Sequence, residues 1–196
     1  LKKKIKVIGV DNLNNYYDIR LKKNRLNNLL KYKNFNFYKI NIHNKKKISE
    51  VFDVYKIHIV IHLAAQAGVR FSINNPSQYF VSNVVGFQNI IDLCKLKKIK
   101  HLIFASTSSV YGNNKKIPFK ETYDTSNPES FYAATKISNE IIAKSYSSIH
   151  KMRITGLRFF TVYGPYGRPD MSLFLFIKQI LSNNKIKLFN NGKHTR

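Results

Sequence analysis

The sequence has few of the residues on which several functional classes depend. A single cysteine, Cys94, excludes an intrachain disulfide and any metal cluster built from cysteines. Because Cys94 lies in an apolar pattern with helical spacing, we expect its thiol to be buried and unreactive. The six histidines show no recurring spacing with carboxylates, so no metal site is expected.

Long apolar runs are also missing. No stretch approaches the roughly 20 apolar residues that a membrane helix needs. The first residues, 1–4, do not begin a signal peptide followed by a cleavage site. Hydrophobic residues still make up 43% of the 196 positions, which suffices for one sizeable core. We therefore expect a cytoplasmic globular protein that does not insert into a membrane.

Acidic residues are scarce, since 10 Asp and Glu stand against 34 Lys and Arg, a net charge of +24. Such an excess attracts polyanions. The lysines are scattered in short runs such as 45–47, however, and accompany many Asn, Ile, Phe and Tyr residues. This distribution indicates a coding bias towards A and T rather than a binding surface. We expect no specific nucleic-acid partner and keep non-specific polyanion binding as an alternative.

Apolar strands and amphipathic helices alternate along the chain. The predicted strands cover residues 5–10, 36–42, 57–63, 101–105, 154–160 and 186–189. The predicted helices cover residues 17–31, 48–55, 76–98, 132–148 and 171–181. This alternation predicts an α/β fold with a doubly wound parallel sheet. Such sheets bind ligands at the carboxyl ends of their strands.

Helical spacing also predicts which side chains face the core. In the helix that begins at Pro76, the predicted core stripe consists of Phe80, Val84, Phe87, Ile91 and Cys94. In the helix over residues 132–148, Ile137 and Ile141 are predicted to form the inner face.

Several predicted strands end at residues suited to ligand binding. Asp11 closes the first strand, where a carboxylate accepts a ribose 2′-hydroxyl and repels a 2′-phosphate, which favours NAD over NADP. A turn or helix cap is the alternative role for Asp11. Small residues at 64–68 let a cofactor approach the backbone, and Arg70 is a candidate anion ligand.

Polar residues near the next two elements add candidates. Asn83 adjoins the core stripe and is expected either to reach a ligand or to cap a backbone group. The hydroxyl residues 106–109 follow the fourth strand. Because buried hydroxyls need partners, we interpret them as donors and acceptors for a substrate hydroxyl.

Tyr132 and Lys136 lie four residues apart at the start of a predicted helix, so both side chains occupy one face. A neighbouring ammonium favours the phenolate and lowers the pKa of a tyrosine from its reference value near ~10. The pair is therefore a candidate general base. An unrelated pair on a surface helix is the alternative.

Together these segments resemble the extended short-chain dehydrogenase/reductase family. The resemblance is carried by residues 62–70, 106–112, the pair Tyr132 and Lys136, and residues 158–171. Within the family, the chain is most similar to nucleotide-sugar 4-epimerases that act on UDP-glucuronate. The resemblance implies a Rossmann-like NAD-binding domain over residues 1–165 and the start of a substrate-binding part over residues 166–196.

The resemblance also implies roles for individual residues. Tyr132 takes the proton of the sugar 4-hydroxyl, Lys136 binds the nicotinamide ribose, and Thr107 hydrogen-bonds the same hydroxyl. The implied NAD-binding residues are Asp11, Asn12, Asn41, Ile42, Leu63, Ala64, Ala65, Asn83, Tyr132, Lys136 and Phe159. The candidate substrate-binding residues are Arg70, Thr107, Ser108, Ser109, Tyr132, Thr161 and Arg168.

The implied reaction converts UDP-glucuronate to UDP-galacturonate through a 4-keto sugar, and NAD is recycled. The alternatives are a 4-epimerase for UDP-glucose or a UDP-N-acetylhexosamine, and an inactive protein that binds NAD or polyanions. A dehydratase would carry an Asp-Glu pair where this chain has Ser108 and Ser109, so dehydration is not expected. Family members commonly pair through the helices assigned here to residues 76–98 and 132–148, which implies a homodimer of the complete protein.

Two departures from the family pattern qualify these expectations. Asn41 and Ile42 stand where the family usually has Asp-Ile, although an amide oxygen still accepts a bond from the adenine amino group. The chain also has no glycine-rich turn to bind the diphosphate and no strand before the one ending at Asp11. In the strand order 3-2-1-4-5-6 that missing strand is central, so we expect the two halves of the sheet to share no edge. We accordingly expect an internal fragment, with a truncated substrate domain, that by itself binds NAD poorly and is inactive.

Overall fold

The computed structural model describes residues 1–3 and 5–192, so residues 193–196 of the predicted second domain lie outside the described residues. The chain divides into two compact units. One comprises residues 1–12 and 34–161, and the other comprises residues 13–33 and 162–196. The segment 13–33, which the sequence suggests belongs with the first domain, is grouped with the second unit.

The first unit contains only parallel strands, which confirms the predicted α/β class. They are β1 (Val7–Asp11), β2 (Phe35–Lys39), β3 (Ile59–His62), β4 (His101–Thr107) and β5 (Ile154–Phe159). β1 pairs with β2, and β4 lies between β3 and β5. Within the described residues the two sheets share no edge, as expected.

The helices follow the predicted alternation. They are α1 (Ile19–Leu30), α2 (Lys45–Val54), α3 (Val69–Asn74), α4 (Pro76–Tyr79), α5 (Gly86–Leu96), α6 (Phe131–His150) and α7 (Ser172–Leu181). A π-helix over Phe80–Val85 joins α4 to α5, and 3₁₀ turns cover Ser108–Tyr111 and Phe189–Gly192. α1 and α7 belong to the second unit. Among the described residues, no helix combines the length and apolar character required to cross a bilayer.

The prediction of the last strand is wrong. The predicted strand over residues 186–189 is absent, because residues 184–188 are irregular and pair with no strand among the described residues. A strand without a ladder partner leaves its backbone groups unpaired, so the β-branched pattern does not suffice. The sequence analysis also made no secondary-structure prediction for residues 69–74, which form α3.

The core of the first unit lies where α2, α5 and α6 pack beside β4. It includes Phe87, Ile91 and Cys94, as predicted, and all three are fully buried. Burial raises the pKa of the Cys94 thiol to about 12, in agreement with the expected inert thiol. Phe80 instead is 50% exposed, which overturns part of the predicted stripe. The π-helix adds a residue to the turn and so changes which side chains face inwards.

The inner face of α6 also differs from the prediction, since Ile141 is 65% exposed. The buried residues of this helix are Ala133, Thr135, Lys136, Asn139 and Ala143. α6 therefore turns a largely polar face towards the strands, and this face contains the candidate site.

Candidate functional site

The carboxyl ends of β3, β4 and β5 lie side by side. His62 is paired with Phe104, and Thr107 is paired with Phe159 in the parallel register. Because the strands are parallel, the loops that follow His62, Thr107 and Phe159 leave the same edge of the sheet. Three separate predicted segments therefore meet at one place.

Lys136 is buried beside this edge. Its side chain is 2% exposed, and its Nζ donates a hydrogen bond to the Ala105 carbonyl at 2.8 Å. Burial lowers the pKa of Lys136 to about 8, because an ammonium loses hydration when it enters the protein. Lys136 is therefore not a surface residue of α6.

Tyr132 lies in the first turn of α6, which begins with a side-chain cap. Ser130 Oγ accepts a hydrogen bond from the Ala133 N–H at 3.1 Å. Ser72 Oγ accepts one from the Tyr132 N–H, also at 3.1 Å. The Tyr132 ring meets the Tyr79 ring edge to face, with centroids 6.1 Å apart. These contacts fix the first turn of α6 and the half-buried Tyr132 ring.

Ser72 and Tyr79 are supporting residues that the sequence reasoning missed. Both are fully buried. Tyr79 donates its hydroxyl to the carbonyls of Ala67 and Gly68, in the loop after β3. Ser72 precedes Tyr132 by 60 residues, so no local pattern could reveal its contact.

Asn83 lies in the π-helix and hydrogen-bonds to the loop after β3. Its Oδ1 accepts a bond from the Gln66 N–H at 2.7 Å, and its Nδ2 donates to the Gln66 carbonyl at 3.0 Å and to Thr135 Oγ1 at 3.1 Å. With a side chain only 1% exposed, Asn83 has the backbone-capping role that the sequence left open. The π-helix is what turns Asn83 inwards, and such helices recur at functional sites.

Three of the hydroxyl residues 106–109 bond to groups of the protein itself, which corrects part of the sequence argument. Ser106 donates its hydroxyl to Glu140. Thr107 Oγ1 accepts the Ser109 N–H at 3.2 Å and donates to Ser109 Oγ at 3.3 Å, so it caps the 3₁₀ turn. Thr107 is 8% exposed, while Ser108 and Ser109 are half-buried.

His62, the last residue of β3, is buried, and the sequence analysis assigned it no role. Its ring packs against Phe87 with centroids 5.5 Å apart, and its Nε2 has no hydrogen-bond partner among the described residues. Burial, and secondarily the charge of Lys136, lower the pKa of His62 to about 3. His62 is therefore neutral at pH 7, and Lys136 is the charged member of the two.

The candidate cofactor residues fall into two groups. Asp11, Asn12, Asn41 and Ile42 lie at the carboxyl end of the β1–β2 sheet, where Asn12 Nδ2 donates to Asn41 Oδ1 at 2.6 Å. The others lie at the carboxyl end of the β3–β5 sheet or against it; they are Leu63, Ala64, Ala65, Asn83, Tyr132, Lys136 and Phe159. Leu63 and Phe159 are 60% and 41% exposed, so both present apolar surface.

The remaining candidate substrate residues are less closely grouped. Arg70 and Thr161 are exposed residues of the first unit. Arg168 belongs to the second unit, where its guanidinium is bonded to Asp170, with Nε to Oδ1 at 3.0 Å. A cavity of about 730 Å³ lies along β5 and α6 and is lined by Phe104, Arg158 and Phe160, among others, but neither Tyr132 nor Lys136 borders it.

Comparison with known proteins places these features in a family. A protein from Staphylococcus aureus named Protein CapI is 49% identical over 190 residues, covering 97% of this chain and 57% of that protein. A UDP-glucuronate 4-epimerase from Thermodesulfobacterium geofontis is 47% identical over 190 residues, covering 97% of this chain and 58% of that protein. The chain thus spans less than two thirds of the length of these relatives.

A solved structure shares the fold. It is the UDP-glucuronic acid 4-epimerase from Bacillus cereus in complex with UDP-glucuronic acid and NAD, with a TM-score of 0.84 and 33% identity. The alignment covers 95% of this chain and 58% of that one. The sequence model of one protein family matches residues 1–196, the whole chain. As its motifs predict, this chain belongs to the NAD dependent epimerase/dehydratase family.

Proposed function

We propose that this chain contributes the proton-transfer residues and part of the NAD site to a nucleotide-sugar 4-epimerase that acts on UDP-glucuronate. One observation carries the proposal. The ammonium of Lys136 is buried against the carboxyl end of β4, one turn along α6 from Tyr132. A buried charge is costly, and one placed beside a tyrosine at a sheet's ligand-binding edge is typical of a catalytic site.

The residues at the strand ends fit NAD in chemical terms. Asp11 is an acceptor suited to a ribose hydroxyl, and Leu63 and Phe159 offer apolar surface for a ring. Lys136 offers a buried donor for a second ribose. When bound, NAD accepts a hydride from sugar C4 and returns it to the opposite face. We assign the NAD site to the first of the proposed domains, residues 1–165.

Tyr132 and Lys136 act together on the proton. The Tyr132 phenolate takes the proton of the 4-hydroxyl as the 4-keto sugar forms, and Tyr132 returns it when the epimer forms. Lys136 stabilises the phenolate by its positive charge, which it retains at pH 7 because its pKa is about 8. Neutral His62 adds no second charge that would compete with this role.

Hydroxyl and guanidinium groups orient the sugar. Thr107 Oγ1 is proposed to hydrogen-bond the reacting 4-hydroxyl, and Ser108 and Ser109 to bind neighbouring oxygens. Thr161, Arg70 and, from residues 166–196, Arg168 are proposed for the uronate carboxylate or the diphosphate. A guanidinium suits both because it forms paired, charge-assisted hydrogen bonds.

The test measures the turnover of two substrates by the natural protein that carries this chain. UDP-glucuronate and UDP-glucose are each incubated with NAD, and the 4-epimers are separated by chromatography. We expect UDP-galacturonate to form at least ~10-fold faster than UDP-galactose, because a guanidinium makes paired, charge-assisted hydrogen bonds to a carboxylate but not to a hydroxymethyl group. Tyr132→Phe serves as the inactive control.

Two other outcomes would contradict the proposal. Faster turnover of UDP-glucose would assign the chain to the rival epimerase activity. Binding of NAD without turnover of either sugar would support a non-catalytic role.

We also propose a homodimer and a cytoplasmic location. Apolar side chains on the α3–α5 segment and on α6 are exposed, among them Phe71, Ile73, Phe80, Ile141 and Ile149. Light scattering after gel filtration should give twice the monomer mass. Cell fractionation tests the location, which suits a protein with one free thiol.

A further inference from the structure

Glu140, on α6, accepts three hydrogen bonds from two residues of the sheet. It lies four residues after Lys136, and therefore on the helix face of Lys136 and Tyr132. Its Oε1 accepts hydrogen bonds from Ser106 Oγ and from Arg158 Nε, the latter at 3.0 Å. Its Oε2 accepts one from Arg158 Nη2 at 2.8 Å. One carboxylate thus contacts both β4 and β5.

Arg158 is held on every side of its guanidinium. Besides the paired bonds to Glu140, its Nη1 donates to the Glu121 carbonyl at 3.1 Å, and its Cζ lies 4.9 Å from the centre of the Tyr111 ring. The side chains of Arg158 and Glu140 are only 17% and 20% exposed. A bidentate pair of this kind fixes geometry, because both bonds must be aligned together.

Each residue that Glu140 contacts lies immediately before a residue of the proposed site in the sequence. Ser106 is followed by Thr107, and Arg158 is followed by Phe159. Lys136 adds a parallel link from the same helix face, since its Nζ bonds the carbonyl of Ala105. Two consecutive turns of α6 are therefore tied to two consecutive residues of β4.

We propose that Glu140 is a positioning residue, which sets the distance of α6 from the ends of β4 and β5 and thereby holds Tyr132 against Thr107. The inference rests on the proposed function. Glu140 touches no reacting atom in this role and acts through Ser106 and Arg158. Because a displacement of about 1 Å lowers rates by roughly 10²-fold, its loss should reduce kcat rather than raise KM.

Three variants distinguish a positioning role of Glu140 from an effect on protein stability alone. Glu140→Gln keeps one acceptor oxygen for Ser106 and Arg158 Nε. Its amide NH₂ group, however, faces Arg158 Nη2, so that two hydrogen-bond donors oppose each other. Glu140→Ala removes every bond that the carboxylate makes to Ser106 and Arg158, and it leaves Arg158 without its ion-pair partner. Glu140→Met combined with Arg158→Met removes the buried charges together, a replacement that often preserves or raises stability.

The experiment measures kcat and KM for UDP-glucuronate and the thermal unfolding of the natural protein that carries this chain. We expect kcat to fall about 10-fold in Glu140→Gln and about 100-fold in Glu140→Ala, with KM within about 3-fold of the parent value. The double methionine variant should recover its unfolding temperature but not its kcat. Recovery of both would overturn the proposal and leave Glu140 a purely structural role.

The titration of Tyr132 provides a readout that does not need turnover. The signal is the NMR resonance of ring-labelled tyrosine, assigned by comparison with Tyr132→Phe. If Glu140 positions the helix, the apparent pKa of Tyr132 should change in the double variant. As a control, Ile91→Val shortens a fully buried side chain away from this cluster and should lower stability without moving that pKa.

The outcomes distinguish the two proposals. An inactive parent protein would refute the proposed function, and the Tyr132 titration would still test Glu140. An active parent with an unchanged kcat and Tyr132 pKa in all three Glu140 variants would refute the positioning role alone.

Discussion

Replacing Lys136 by methionine should stabilise the protein at neutral pH while abolishing its activity. Methionine fills a similar volume without a charge. Burial lowers the pKa of Lys136 from 10.5 to about 8, and at about 1.4 kcal/mol per pH unit this costs the folded state roughly 3 kcal/mol at pH 7. The substitution also leaves the Ala105 carbonyl without its bond from Nζ, a loss of about 1 kcal/mol. The expected net gain is about 2 kcal/mol in the free energy of unfolding.

The pH dependence of this difference has a defined sign. Between the folded pKa of about 8 and the unfolded value of 10.5, the unfolded chain binds more protons on Lys136 than the folded chain. The stability of the parent protein therefore rises through this window relative to the variant, and full stability is present only above the unfolded pKa. The two stabilities should cross between about pH 9 and pH 10.5, and above that the variant should be the less stable.

Urea unfolding at a series of pH values measures the difference, with far-UV circular dichroism as the signal because the chain has no tryptophan. Lys144→Met is the control, since Lys144 is an exposed lysine on the same helix. The control should show no crossing. A Lys136→Met variant that is less stable at pH 7, by an amount independent of pH, would refute the argument from burial.

Three further predictions concern the same site. Tyr132→Phe should lower the epimerisation rate at least ~10²-fold with an unchanged unfolding temperature; a fully active variant would remove Tyr132 from the mechanism. Because the folded pKa of His62 is about 3, the parent protein should lose stability as pH falls from 6.5 towards 3, and His62→Leu should lose less; equal acid sensitivity in unfolding titrations would contradict its neutral burial. Asn83→Leu removes the hydrogen bonds of Asn83 to the Gln66 backbone N–H and carbonyl and should cost about 2–3 kcal/mol in urea unfolding, whereas a neutral effect would show that the loop after β3 repacks.

The order of the elements was predictable because it depends on local patterns. β3 and β4 are short runs rich in apolar residues, and α5 repeats its apolar residues at helical spacing. The proximity of the strand ends was predictable as well, because consecutive parallel strands deliver their carboxyl ends to the same edge. Tyr132 and Lys136 follow from this logic, being four residues apart on one helix.

Errors arose where tertiary contacts reverse a local pattern. Phe80 fits an apolar stripe and yet is exposed, because the π-helix turns Asn83 inwards instead. Ile141 fits the apolar pattern predicted for the inner face of α6, but it is exposed because other residues of the helix, several of them polar, occupy that face. The strand predicted over residues 186–189 is absent because it has no strand to pair with among the described residues.

The sequence by itself determined the α/β class, the family motifs and the pairing of Tyr132 with Lys136, since each depends on residues close together in the chain. Only the tertiary structure decided that Lys136 is buried, that His62 is neutral, and that Ser72 and Glu140 hold α6 in place. Those properties depend on desolvation and on hydrogen bonds between residues as far as 60 positions apart, so no local pattern encodes them.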